Sequence, residues 1–100
     1  MKKVFVYVFE NSEWQNRSQL EFSHLTLISK RTKEKFINDC GNLWVYFHEQ
    51  LRKHKKQCMA EDFIVEGSNK EITIAYGYGD SVSKQIKRKR LFNRGTFWDF

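Results

Sequence analysis

The sequence contains no proline, and its five glycines are not gathered into a linker. Pro-, Gly- and Ser-rich stretches mark many joints between domains, so nothing divides this chain, whose 100 residues match the length of one ordinary domain. We therefore expect a single domain over residues 1–100. Forty per cent of the residues are hydrophobic and 16% are aromatic, which is enough apolar surface to pack a core and excludes disorder throughout.

Long hydrophobic runs are also missing. The longest near the start, Val4 to Phe9, has six residues, whereas a membrane helix needs about 20 and a secretory signal needs a longer run followed by a small-residue cleavage site. We expect a protein without a membrane partner that acts in the cytoplasm of the cell that makes it. If the gene is phage-encoded, that cell is the host.

Cysteine and recognisable catalytic motifs are scarce. Cys40 and Cys58 are the only cysteines, and in a reducing compartment we expect two free thiols. His54 lies four residues before Cys58, but a zinc site needs four ligands at characteristic spacing. No phosphate-binding loop is found, since the glycines around Tyr78 lack the following glycine and lysine. We predict no catalytic residue, no metal and no cofactor, and an enzyme is not our first hypothesis.

The first half of the chain predicts two strands and a helix. Val4 to Phe9 is β-branched and aromatic on both alternating faces, as in a central strand. The stretch 11–17 is polar apart from Trp14 and predicts a loop, and 20–28 alternates as a second strand. With Thr32 as N-cap, apolar residues then recur at three- and four-residue spacing, which predicts one long amphipathic helix over residues 32–56.

The second half predicts a hairpin. Two β-rich runs, 62–66 and 71–76, flank a short turn that contains Gly67 and Asn69. The expected fold class is α+β, with a three- or four-stranded, mostly antiparallel sheet packed against the long helix and followed by a basic C-terminal segment.

That basic segment covers residues 84–94. The chain has 18 Lys and Arg against 12 Asp and Glu, a formal net charge of +6. Residues 84–94 contain six cations and no acid, so they account for the whole excess. Because a local charge excess is typical of polyanion binding, we predict that this segment grips nucleic-acid phosphates. Its cations are Lys84, Lys87, Arg88, Lys89, Arg90 and Arg94.

Other residues extend this predicted interface. Lys53, Lys55 and Lys56 end the predicted helix, where cations also complement the helix dipole. Aromatic rings can stack on unpaired bases, and the candidates are Tyr76, Tyr78 and Phe92. Beyond the charges, residues 97–100 contain three aromatic side chains, which we expect to fold back as an anchor on the core or on a second copy in a homodimer.

The leading hypothesis is thus a small non-enzymatic nucleic-acid-binding protein, with RNA favoured because no recognition-helix motif for duplex DNA is found. The same charges fit a phage or mobile-element type of inhibitor or adaptor that binds an acidic face of a host or toxin protein. A third hypothesis is a small basic ribonuclease, which would need a base, an acid and a cation. His24, His48 and Glu49, together with an arginine, are the candidates to supply these groups.

Overall fold

The computed structural model describes residues 3–10, 13–16, 26–37, 40–87 and 98–99. They form seven strands and two helices in the following chain order. The elements are β1 (Val4–Glu10), β2 (Glu13–Asn16), β3 (Thr26–Ser29), β4 (Lys35–Ile37), α1 (Cys40–His54), β5 (Cys58–Val65), β6 (Lys70–Tyr78), α2 (Ser81–Lys87) and β7 (Trp98–Asp99).

One antiparallel sheet joins all the described strands. Its order is β2-β1-β6-β5-β3-β4, and the two-residue β7 pairs with β5 beyond the end of β3. The centre is the β5–β6 hairpin, in which Val65 pairs with Lys70 and Cys58 pairs with Gly77. Gly67 and Asn69 in its turn have positive φ, as such a turn requires. The predicted hairpin is confirmed.

The helices cover opposite faces of the sheet. Alternate residues of the central strands, including Val6, Phe63 and Tyr76, pack with α1 in the main core cluster. The residues between them, such as Ala60, pack with Val82 of α2 in a smaller cluster. Neither of these helices is long and apolar enough to cross a membrane.

The fold-class prediction was wrong about the sheet and the helix. The sheet is larger than three or four strands, and in place of one long helix over residues 32–56 the described residues form β4 and the shorter α1. Thr32 is not an N-cap but lies in the β3–β4 turn, and Phe36 belongs to a strand that pairs with β3. Phe36 still reaches the core, with its ring 5.0 Å from that of Tyr46. Phe36 and Ile37, which lie on the short strand β4, fall at helical spacing before α1, so the predicted helix began too early in the sequence.

Two smaller predictions also change. The stretch expected to be a loop contains β2, in which Trp14 lies opposite Phe9 with the rings 5.2 Å apart. The strand expected over residues 20–28 is described only from Thr26 onward. By contrast, β1 lies between β2 and β6, which confirms the central strand.

Candidate nucleic-acid interface

One cation directly after α1, Lys55, has an uncommon backbone conformation. The Lys56 N–H bonds to the Leu51 carbonyl oxygen at 3.0 Å and the Lys55 N–H bonds to that of Arg52 at 3.2 Å. This is the Schellman pattern of helix termination, whose left-handed position is usually glycine. Here Lys55 occupies it, with φ of 55°. A residue with a Cβ at that φ costs about 1 kcal/mol. Glycine at position 55 would therefore make the folded protein more stable than lysine does.

The connection from α1 to β5 is fixed against the end of β6. The Gln57 carbonyl oxygen accepts the Tyr78 N–H at 2.9 Å and the Ser81 hydroxyl at 3.0 Å. Gly77 allows this close approach, because a Cβ at that position would lie 2.7 Å from the Gln57 oxygen and would also collide with Cys58. The cations that follow α1 are therefore held next to Tyr78.

A basic groove results between the end of α1 and the end of β6. Its volume is about 440 Å³. A neighbouring groove of about 360 Å³ shares Gln57 and Tyr78 with it and brings in Lys3 from the start of β1. We call the first of these the basic groove; its lining residues are His48, Leu51, Arg52, Lys55, Lys56, Gln57 and Tyr78.

Two aromatic rings form part of the groove wall. Tyr78 is half-buried, and its ring centroid lies 5.8 Å from that of His48, with the planes inclined by 49°. Proteins that bind single-stranded nucleic acid commonly place lysine or arginine side chains, which contact phosphates, beside a partly exposed aromatic ring, which stacks on a base. The groove therefore combines both kinds of contact that the sequence predicted for a nucleic acid.

Two cations near the other end of the central hairpin are held in ion pairs, whereas two of the cations that line the basic groove are not. There, Lys30 bonds to Glu71 at 2.9 Å and Lys35 bonds to Glu66 at 2.8 Å. Among the described residues, no ion pair involves Lys3, Arg52, Lys53 or Lys55. Lys30 and Lys35 are thus neutralised, whereas Arg52 and Lys55 beside the basic groove, like Lys70 at the hairpin turn, form no ion pair with another described residue.

The structure brings together only part of the predicted interface. Lys55, Lys56 and Tyr78 line the groove, and Lys53 is exposed on the last turn of α1. Tyr76 is instead fully buried, with its hydroxyl on Glu61, and has no surface on which a base could stack.

The basic segment is described only at its start. Lys84 and Lys87 are exposed on α2, which begins beside Gln57 at the groove end of the sheet but covers the face opposite α1. Lys84 lies 3.4 Å from Asp80. The remaining predicted contacts, Arg88, Lys89, Arg90, Phe92 and Arg94, lie outside the described residues.

The side chains of the predicted aromatic anchor, residues 97–100, also lie outside the description. The backbone of Trp98 pairs with Ala60 and that of Asp99 with Met59, so this part of the chain runs beside β5. The anchor itself stays a prediction.

Of the residues named for ribonuclease or metal chemistry, those that the structure describes do not converge on one site. His48 lines the basic groove, whereas Glu49 lines a different groove of about 280 Å³ near Tyr46, and His24 lies outside the described residues. Burial raises the pKa of the Cys58 thiol to about 11, which keeps it protonated near neutrality. In the part of the chain that is described, no three His, Cys, Asp or Glu residues converge as metal ligands.

A buried polar network that the sequence did not reveal supports the region beneath α1. Glu61 of β5, with its side chain 1% exposed, accepts hydrogen bonds from Ser29 at 2.6 Å and from Tyr76 at 2.7 Å. The Tyr46 hydroxyl reaches the same carboxylate at 2.9 Å. Arg31 lies 3.4 Å from it and also donates to Gln50. A buried carboxylate with this many partners is satisfied rather than reactive.

The protonation equilibria of this network follow from burial and charge. Burial and the Glu61 carboxylate raise the pKa of Tyr46 to about 12, and they raise the pKa of Tyr76 further. For Arg31, burial acts to lower the pKa, but Glu61 and the two tyrosines outweigh it, so the pKa is raised overall. The tyrosines stay neutral donors and Arg31 stays a cation at physiological pH.

No family model, curated protein or solved structure matches this chain.

Proposed function

We propose that this protein is a small, non-enzymatic nucleic-acid-binding protein, with RNA favoured, whose interface includes the basic groove. The observation that carries the proposal is the placement of Arg52, Lys55 and Lys56 beside the half-buried ring of Tyr78. Clustered cations at a protein surface neutralise phosphates with release of counterions. The basic segment, residues 84–94, would add cations from the other face of the same end of the sheet, since α2 begins beside Gln57.

The conformation of Lys55 supports a binding role. Helix-dipole complementarity explains cations anywhere in the last turn of α1, including Arg52 and Lys53. It does not explain a lysine with positive φ at the position where glycine is preferred. Because Lys33 also has a positive φ, of 68°, the conformation of Lys55 supports the proposal only in combination with its place in the groove lining.

The test is an affinity measurement across a salt series with a 12-nucleotide RNA. Removing one phosphate contact should reduce the slope of log K against log salt by about 0.7 for a single strand. The triple variant Arg52→Gln, Lys55→Gln, Lys56→Gln should therefore reduce the slope by about 2. The control triple Lys30→Gln, Lys35→Gln, Lys70→Gln removes the same charge near the other end of the hairpin and should leave most of the slope intact.

Two results would contradict the proposal. The first is an unmodified protein whose affinity for RNA and DNA is negligible at low salt. The second is an equal reduction of slope in the groove triple and the control triple, which would indicate a non-specific charge effect. Recovery of a protein partner that survives nuclease treatment, together with no nucleic-acid affinity, would favour the acidic-protein hypothesis instead.

A further inference from the structure

The shape of the basic groove determines whether a single strand or a duplex can contact both its cations and the ring of Tyr78. Tyr78 lies on the face of β6 that α1 covers, but it is only half-buried, between His48 of α1 and the residues that follow the helix. The bases of a duplex are stacked inside and present only their edges in the grooves. A duplex can therefore touch the surrounding cations, but it cannot place a base face on Tyr78 without flipping that base out.

The dimensions agree with a small, flat ligand. About 440 Å³ is within the range of about 300–1,000 Å³ found for small-molecule sites. The inclined rings of His48 and Tyr78 form one side, and Arg52 and Lys55 at the end of α1 contribute the charged part of the lining. The carbonyl oxygen of Gln57 accepts two hydrogen bonds, which fix the position of its backbone beside the groove. Its side chain is exposed.

We infer that the basic groove receives one unpaired nucleotide, with its base against Tyr78 and its phosphate on Arg52 and Lys55. The expected ligand is therefore a single-stranded nucleic acid, or an unpaired nucleotide at a bulge or an end of a duplex. This inference rests on the proposed function, and it adds a preference that phosphate contacts alone do not provide, because phosphate contacts carry no information about base pairing.

The test compares four probes of equal length at one salt concentration: single-stranded RNA, single-stranded DNA, the duplex, and a strand made abasic throughout. The abasic strand keeps the phosphates and lacks the bases. Both intact single strands should bind about tenfold or more tightly than the duplex and the abasic strand, because stacking contributes substantially to each base contact. The difference between RNA and DNA shows whether the 2′-hydroxyl is read.

Variants of Tyr78 assign the preference to the groove. Tyr78→Leu should lose about tenfold in affinity for the intact single strands and should change neither abasic binding nor the salt slope. Tyr78→Phe keeps the ring and should keep the preference. Equal affinity for all four probes, or an unchanged preference in a folded Tyr78→Leu protein, would overturn the inference and leave the proposed function standing. Absence of binding to every probe would remove both.

Discussion

Tyr76 and Tyr78 lie two residues apart on the same face of β6, yet their surroundings are opposite. Tyr76 is fully buried, its ring stacks on Phe47 at 4.2 Å, and its hydroxyl donates to Glu61. Tyr78 is half-buried beside His48 at the edge of the basic groove. The difference comes from how α1 covers them: the ring of Phe47 lies directly on Tyr76, whereas Tyr78 lies beside His48 and keeps part of its surface exposed. One ring therefore belongs to the core and the other borders a surface that a ligand can reach.

The same contrast applies to charge. Around Glu61 the charged groups are buried and surrounded by hydrogen-bond partners, so changing them should alter stability. Near Tyr78, Arg52 and Lys55 are exposed, and neither forms an ion pair with another described residue. Changing those two cations should alter binding and leave stability nearly unchanged. Substitutions at each place can separate the two effects.

The largest expected effect is on stability, from Glu61→Ala. The substitution leaves Arg31 without its counterion and removes the acceptor of three hydroxyl groups. Removing one partner of a buried ion pair costs about 3–5 kcal/mol. Urea unfolding measures the free energy of unfolding, and Glu49→Ala on the exposed side of α1 is the control. A change below about 1 kcal/mol, the size of a typical single hydrogen bond, would show that Glu61 is not the centre of the network.

Alkaline pH should decrease the free energy of unfolding, because it deprotonates a buried tyrosine of the Glu61 network. The pKa of Tyr46 in the folded protein, about 12, lies above its ordinary value of 10.0. A raised pKa means that the folded state holds the proton more tightly, so this stabilisation is complete below pH 10 and is lost as pH rises through 12. Urea midpoints at pH 9 and 11.5 should differ less in Tyr46→Phe. An identical difference in both proteins would contradict this assignment.

Removing one hydroxyl from each tyrosine should affect different measurements. Tyr76→Phe should lose about 1.5–3 kcal/mol of stability, because it deletes a hydrogen bond to a buried carboxylate. Its affinity for nucleic acid, measured at a temperature where it is folded, should not change. Tyr78→Phe should change both stability and affinity little, since the ring remains. A larger decrease of stability in Tyr78→Phe than in Tyr76→Phe would reverse the comparison.

The smallest expected effect is a gain of stability on replacing Lys55, measured together with its affinity for nucleic acid. Lys55→Gly should increase stability by about 0.5–1 kcal/mol, because glycine adopts a positive φ without a Cβ penalty. It should also weaken nucleic-acid binding. Lys33→Gly is a matched control, since Lys33 has φ of 68° in the β3–β4 turn and carries the same charge. Both variants should gain stability, and only Lys55→Gly should lose affinity.

Local patterns in the sequence predicted some elements well. The run from Val4 to Phe9 and the turn at Gly67 carry enough information in neighbouring residues to predict β1 and the β5–β6 hairpin. The helix was misjudged because Phe36 and Ile37 occur at helical spacing before Cys40. Only their pairing with β3 distinguishes a strand from a helix there, and that pairing is a tertiary contact.

The candidate site was predictable in its residue types and not in its arrangement. The cluster of cations at the end of the predicted helix indicated Lys55 and Lys56, and the capacity of aromatic rings to stack indicated Tyr76 and Tyr78. Residue type does not show how deeply a side chain is buried, so Tyr76 was wrongly grouped with surface residues. The burial of Glu61 had no local signal, because an acidic residue in a strand is usually exposed and its partners come from β3, α1 and β6.

The central claim is that the basic groove, rather than charge in general, contacts nucleic acid. Chemical-shift mapping of the backbone amides during titration with a short single-stranded RNA tests it most directly. We predict that the largest changes fall on residues 52–57 and 78–80, with further changes in residues 84–94 and little change around residues 65–71. Changes confined to residues 84–94, or spread evenly over every lysine including Lys30 and Lys35, would contradict the claim.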